Sequence, residues 1–251
     1  LFFAGVDVCD IAQTYGTPVY VYDQNAIESN LRVVEDEFLR AYPNTRAYYA
    51  AKAFLTLKMA DIIAKSRLGI DVASMGECYI AMQAGIEPKR ILYHGNNKSY
   101  PELQYAIEHG VGRIVVDSLR ELEDIATITT TLQQRIKILV RFSPKLSHID
   151  THKNIQTGHK TSKFGIDLDR HLGDIVQMIQ KNEYMTFVGF HFHVGSQLKT
   201  NRHHIEAIEE IFPHMIRLKD EYGLLCKELD IGGGFGIAYT KLDTVLPLSD
   251  F

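Results

Sequence analysis

Short runs rich in β-branched and aromatic residues begin at Tyr48, Gly69, Ile91, Arg113 and Ile136, and subtracting each start from the next gives spacings of 21, 22, 22 and 23 residues. Between them lie segments with apolar residues three and four apart, Leu57 to Ser66, Gly76 to Ala84, Pro101 to Glu108 and Leu119 to Ala126, the period of a helix with one buried face. Several carry start signals: Ser74 stands three before Glu77, Ser99 precedes Pro101, and Ser118 stands three before Glu121. Strand, helix, strand at this spacing predicts βαβ units and a parallel sheet. Two later strands, Thr186 to His193 and Glu228 to Ile231, continue the pattern and bring the count to seven. The fold class is therefore α/β, a (β/α)8 TIM-like barrel with about seven of its strands in this chain, the open alternative being a doubly wound sheet. Residues 1–251 read as one barrel domain without an internal boundary. An eighth strand is expected beyond Phe251, and further residues ahead of Leu1, which is not a Met.

Composition narrows the setting. With 45% hydrophobic and 23% charged residues the chain has the material for a large core. No run of eighteen uncharged apolar residues occurs, so no membrane span is expected, and the apolar start lacks the basic flank and cleavage site of a signal peptide. Cys9, Cys78 and Cys226 are odd in number and far apart, which argues against a disulfide framework or a structural zinc site and points to a reducing cytoplasm. A net charge of -4 with both signs interspersed gives no footprint for nucleic acid. A small molecule is the expected partner.

In a barrel, working residues collect where strands end. Here those ends carry Lys52, Asp71 with Ser74, His94 with Gly95 and Asn96, Asp117, Arg141, His193 with Gly195 and Ser196, and the run Gly232, Gly233, Gly234 and Gly236. Glycines let backbone N–H groups approach and cradle a phosphate, and barrels often place such a site after strands seven and eight. The plainer reading is a tight turn. A dinucleotide fingerprint fits less well, because it should follow the first strand of its unit, with an acid about 20 residues on that Asp250 only roughly supplies. Lys52 follows Tyr48, Tyr49, Ala50 and Ala51 and precedes Ala53 and Phe54, an apolar setting that would favour a neutral, nucleophilic amine able to form a Schiff base. Alone it reads as a solvated lysine; with a phosphate cradle it describes pyridoxal phosphate, which needs one anchor for its aldehyde and another for its phosphate. His191 and His193, two apart on a strand, should face one side. A metal pair is one reading, wall hydrogen bonding another, and a ring stacked on a cofactor the favoured one, so no metal is expected.

The residues then match a known family in order. Tyr15-Gly16-Thr17-Pro18, Tyr49-Ala50-Ala51-Lys52-Ala53, Gly69 to Glu77, His94-Gly95-Asn96-Asn97-Lys98-Ser99, Thr151-His152, Thr157-Gly158, Lys163-Phe164-Gly165, His191 to Gln197 and Gly232 to Gly236 together resemble the fold-type III pyridoxal-phosphate decarboxylases, the barrel group of alanine racemase and ornithine decarboxylase. The Thr-His and Thr-Gly loop, the His-Gly-Asn-Asn-Lys-Ser run and the Gly-Ser-Gln ending are most similar to the diaminopimelate branch. The resemblance implies decarboxylation of meso-diaminopimelate to L-lysine, or of another basic amino acid such as ornithine, lysine, arginine or carboxynorspermidine; a catalytically dead regulatory relative is the other class considered. It implies that Lys52 bonds the cofactor and that His193 stacks on its ring. It further implies that Ser196 with Gly232, Gly233 and Gly234 binds the phosphate, and that Asp71, Glu77 and Arg141 line the site. It also implies a homodimer sharing its active site, and a C-terminal β-domain outside this sequence, without which the chain would be inactive. One departure is Phe54, where the family usually has asparagine.

Overall fold

The computed structural model describes residues 1–146, 163–240 and 242–250. Thr151, His152, Thr157 and Gly158, which carry part of the resemblance, lie outside them. The chain divides into two compact units at Thr45 and Arg46, a boundary the sequence pattern did not mark. The first holds the hairpin β1 (Phe2–Phe3) and β2 (Val6–Asp7), then α1 (Val8–Tyr15) and α2 (Gln24–Val34), with a π-turn over Glu35–Leu39. Asp7 and Asp23 start the two helices, each accepting a backbone N–H from the first turn.

The second unit is the repeating one. Its strands are β3 (Tyr48–Ala50), β4 (Gly69–Val72), β5 (Ile91–Tyr93), β6 (Arg113–Val116), β7 (Ile136–Arg141), β8 (Met185–His191) and β9 (Glu228–Asp230). All pair in parallel, in chain order, in one seven-stranded sheet. A doubly wound sheet reverses its order at a switch point; this one never does, as a barrel requires. The five early strands begin at the five residues that set the spacing in the sequence. Between strands run α3 (Leu57–Lys65), α4 (Met75–Gln83), α5 (Tyr100–Glu108), α6 (Leu119–Leu132), α7 (Leu168–Gln180) and α8 (Arg202–Tyr222). Thr56, Ser74 and Ser118 each accept a backbone N–H three residues on, and Ser99 with Glu102 forms a full capping box.

Burial follows the parallel-sheet rule of near-continuous apolar strands: all four residues of β6 are buried, and in β7 only Lys137 is exposed. Leu92, Val115, Leu139 and Val188, one from each of β5 to β8, form a single buried cluster against which Tyr48 of β3 packs. The first and seventh strands also meet through charge. Glu228 on β9 pairs with Arg46 just before β3 at 3.2 Å, and with the buried guanidinium of Arg113 on β6 at 2.7 Å. The sheet is thus curled, and its strand ends converge. Among the described residues no helix is long and apolar enough to cross a membrane.

Candidate functional site

Lys52 sits in a single 3-10 turn, Ala51–Ala53, directly after β3. Ala51 is buried, but Lys52 and Ala53 are exposed, so the apolar surround expected from the neighbours in sequence does not form. Successive residues of an extended strand point to opposite faces, and adjacency along the chain does not become a shell in space. The loop is held from inside, where the Tyr49 hydroxyl donates to the Phe54 carbonyl at 2.6 Å. The lysine's charge reaches inward to Asp71 and His193.

Asp71, on β4, is one of four titratable groups gathered at neighbouring strand ends. Burial raises its pKa, with His94 and Lys52 opposing and Asp230 reinforcing the rise. His94, after β5, places Nε2 3.9 Å from Asp71 and 3.8 Å from Asp230. His191, the last residue of β8, lies edge-on to His94 with ring centres 4.5 Å apart and its Nδ1 3.1 Å from Asp230. Burial drives His191 down to about 4, so it is neutral at physiological pH. Burial alone would raise Asp230, but the imidazoles of His191 and His94 outweigh it and hold the carboxyl well below its ordinary range. The nearest atoms of His94, His191 and Asp230 lie within 4.8 Å of one another, a spacing a cation could bridge and which here serves their mutual pairing.

The two histidines expected on one side of a strand are divided between two tasks. β8 stops pairing at His191, opposite Asp230, and the chain then turns. His193 belongs instead to the glycine loop: an added Cβ on Gly232 would lie 3.0 Å from its Nδ1, and one on Gly234 3.4 Å from its ring. Burial, reinforced by the nearby His191 and Lys52, takes His193 to about 3, leaving a neutral flat ring at physiological pH.

Arg141, the last residue of β7, is buried, pairs with Asp117 after β6 at 3.2 Å and lies over the Phe164 ring at 4.4 Å. Burial lowers its pKa and Asp117 partly restores it. Glu77 accepts the Ala73 N–H at 2.6 Å on its carboxylate and donates its own backbone N–H to the Ser74 hydroxyl at 3.2 Å, so it braces the turn after Asp71. Beneath Asp117 is a charge pair that the sequence did not reveal. Lys98 Nζ, almost fully enclosed, binds Glu121 at 2.8 Å and the carbonyls of Gly95 and Val115 at 2.6 and 2.8 Å, while Glu121 accepts the Asp117 N–H at 3.1 Å.

The loops after β8 and β9 are laced together. Leu198 donates to the Gly234 carbonyl at 2.8 Å and accepts from Gly236 at 3.0 Å. The Gln197 side chain meets both backbone groups of Ile237, at 2.9 and 3.2 Å. This brings the Ser196 loop alongside Gly232 to Gly234. Gly232 and Gly234 have positive φ angles of 71° and 93°, and a Cβ at Gly234 would stand 1.9 Å from the Gly195 carbonyl oxygen. Gly233 is different: a Cβ there would meet nothing within 4 Å. Among the described residues neither the Gly233 nor the Gly234 N–H has a partner, whereas the Gly232 N–H is taken by Asp230 at 2.9 Å. Open space fronted by free backbone donors suits an anion, and the loop therefore fits the phosphate of a cofactor.

Sequence reasoning named Lys52, Asp71, Arg141, His193, Ser196 and the glycines, and it missed Asp230. Its signal was present, since an acid closing a barrel strand is in the place where working residues collect.

Three comparisons bear on this geometry. The sequence model of the pyridoxal-dependent decarboxylases, pyridoxal binding domain, matches residues 27–251. The diaminopimelate decarboxylase of Bacillus subtilis is 37% identical over 250 residues, which is 98% of this chain and 56% of that protein; the chain thus spans a little over half the length of this curated relative. Among solved structures, diaminopimelate decarboxylase from M. jannaschii in co-complex with L-lysine superposes with a TM-score of 0.88 at 32% identity, covering 99% of this chain and 58% of that one. The Helicobacter pylori enzyme complexed with L-lysine gives 0.85 at 31%, covering 96% and 60%. With the family pattern running through nearly all of the repeating unit and its strand ends, the chain belongs to the pyridoxal-dependent decarboxylases, over their pyridoxal binding domain.

Proposed function

We propose that this chain is the cofactor-binding barrel domain, residues 1–251, of a pyridoxal-phosphate enzyme that decarboxylates meso-diaminopimelate to L-lysine. The observation that carries the reading is His193, which lies against Gly232 and Gly234 and within reach of the Lys52 charge, linking an amine after the first strand to an anion cradle after the seventh. The diaminopimelate decarboxylases among the relatives and solved structures support the substrate.

Lys52 would hold the aldehyde end, Ser196 with Gly232, Gly233 and Gly234 the phosphate, and His193 one face of the ring. Asp71 and Arg141 line the same strand ends and set the charge around it. When bound, pyridoxal phosphate supplies a conjugated electron sink for the pair left behind as carbon dioxide departs. The protein's part is orientation: a neutral His193 packs flat without competing for protons at pH 7, and the Lys52 side chain is exposed, hence accessible to an incoming substrate amine. The ionised Asp230, with neutral His191 beside it, fixes negative charge beneath the glycine loop.

With this reading go a homodimer whose subunits share the active site and a cytoplasmic setting, which sedimentation and fractionation would check. The direct test is lysine formation from meso-diaminopimelate by the purified protein, with ornithine and arginine as controls. Borohydride treatment of the cofactor-loaded protein should fix a phosphopyridoxyl group on Lys52, found by peptide mass spectrometry. Lys52→Ala should abolish both the label and the visible cofactor absorbance. Label on any other lysine would overturn the assignment.

A further inference from the structure

We propose that His204 is a positioning residue for the phosphate cradle, holding the Gly233 carbonyl so that the N–H of the next peptide faces the anion. The inference rests on the reading of Gly232 to Gly234 as that cradle. His204 lies in the first turn of α8 and is buried; its Nε2 stands 3.2 Å from the Gly233 carbonyl oxygen, and its ring stacks on Phe235 with centres 5.4 Å apart and 18° between planes.

Burial, with His203 adding to it, holds His204 below the usual histidine range, so the ring carries one proton. A carbonyl oxygen can only accept, and that proton must be on Nε2. Nδ1 is then a bare lone pair, and it is indeed buried without a hydrogen-bond partner among the described residues. In a trans peptide the C=O and N–H point in opposite directions. Anchoring the Gly233 oxygen on His204 therefore turns the Gly234 N–H away from His204 and α8. The following carbonyl, that of Gly234, is tied back by the Leu198 N–H at 2.8 Å. Both oxygens that could face an anion and repel it are thus bound to the scaffold, while the two N–H groups have no partner among the described residues. The peptide between two glycines is the one with least steric resistance to flipping, and His204 is what holds it.

The test compares binding of pyridoxal phosphate and of pyridoxal, which lacks the phosphate, followed by protein fluorescence. His204→Phe keeps the stack and loses the donor; His204→Gln can still donate through its amide. The Phe variant should bind pyridoxal phosphate about tenfold more weakly, the size of one hydrogen bond, and pyridoxal within about twofold of the native protein, with the Gln variant in between. Unchanged pyridoxal phosphate affinity in the Phe variant, or equal losses for both ligands, would overturn the proposal. If native protein bound no pyridoxal phosphate, the cofactor reading itself would fail instead. A second measurement needs no variant: nitrogen chemical shifts of His204 in the native protein should show Nε2 protonated and Nδ1 bare at neutral pH, and the opposite tautomer would refute the anchor.

Discussion

A methyl group added at Gly233 meets no heavy atom within 4 Å, whereas one at Gly234 would overlap the Gly195 carbonyl on a backbone with φ of 93°. Gly233→Ala should consequently melt within a few degrees of the native protein and lose affinity for pyridoxal phosphate, because its methyl fills the cradle. Gly234→Ala should lose roughly 2 kcal/mol or more of stability, from clash and left-handed strain together. Thermal melts beside cofactor titrations separate the two effects. Acid stability follows from the same residues. His191 at about 4 and His193 at about 3 are depressed below the ordinary value of 6.5, so between pH 6.5 and those values the unfolded chain takes up protons that the fold refuses. Stability is therefore fully present above pH 6.5 and declines as pH falls through that window, and Asp230, held low, extends the decline below pH 3.8. Asp71, held high, opposes part of it. Denaturant midpoints measured from pH 7 to pH 4 should fall steadily, and His191→Phe should flatten the slope. Lys52 and the glycines could be named as candidates because strand ends and glycine runs are local patterns. The split between His191 and His193 was not, since it depends on where β8 stops pairing, and His204 gave no signal because its partner is 29 residues away.

Capping and pairing explain how the elements hold the site, and also what could be read of them. Each of Thr56, Ser74, Ser99 and Ser118 starts a helix whose preceding strand end carries a candidate site residue, so a cap fixes both the helix and the loop. Those helices were visible in the sequence to within a residue or so at their starts. α6 runs on to Leu132, past the predicted Ala126, although threonines have poor helix propensity, because Ile128 and Thr129 are buried and the Asn182 amide donates to the Thr129 hydroxyl at 3.1 Å. α8 was not expected at all: Pro213 stands inside it, and its apolar face emerges only with Ala207, Ile211 and Leu218 buried. The Lys98–Glu121 pair joins the loop after β5 to the start of α6, and with both side chains at 5% exposure or less the cost of breaking it is that of a stranded charge. Glu121→Leu should destabilise the protein by about 3 kcal/mol in urea unfolding, and Lys98→Met by a similar amount. The double variant Lys98→Met with Glu121→Leu should regain most of that loss, since burying neither charge is nearly neutral. Additive losses would show that the pair's worth lies in its backbone contacts to Gly95, Val115 and Asp117 rather than in the pairing.

For the repeating unit as a whole, chain-order parallel pairing makes the site depend on curvature. β3 and β9 are six positions apart in the sheet, yet in the proposed site the amine after one and the glycine loop after the other would serve a single small molecule. The spacing of strand starts predicted this order, but not what sets the curl, because Arg113 and Glu228 are 115 residues apart in sequence and each reads locally as an ordinary strand-edge charge. In the structure Arg113 is buried, and Glu228, lowered by Arg113 and Arg46 against the opposing effect of burial, stays ionised between β6, β9 and the approach to β3. Arg113→Lys retains the charge and loses the planar fork that meets both carboxylate oxygens. It should cost about 1–3 kcal/mol of stability, as for a charged hydrogen bond, and weaken pyridoxal phosphate binding although the residue lies at the opposite ends of the strands from the cradle. Arg46→Ala removes only an exposed pair and should change stability by less than about 1 kcal/mol. If Arg113→Lys lost stability while cofactor affinity stayed native, the curvature would be set by the apolar layer of Leu92, Val115, Leu139 and Val188 alone, and the charge cluster would matter only for folding.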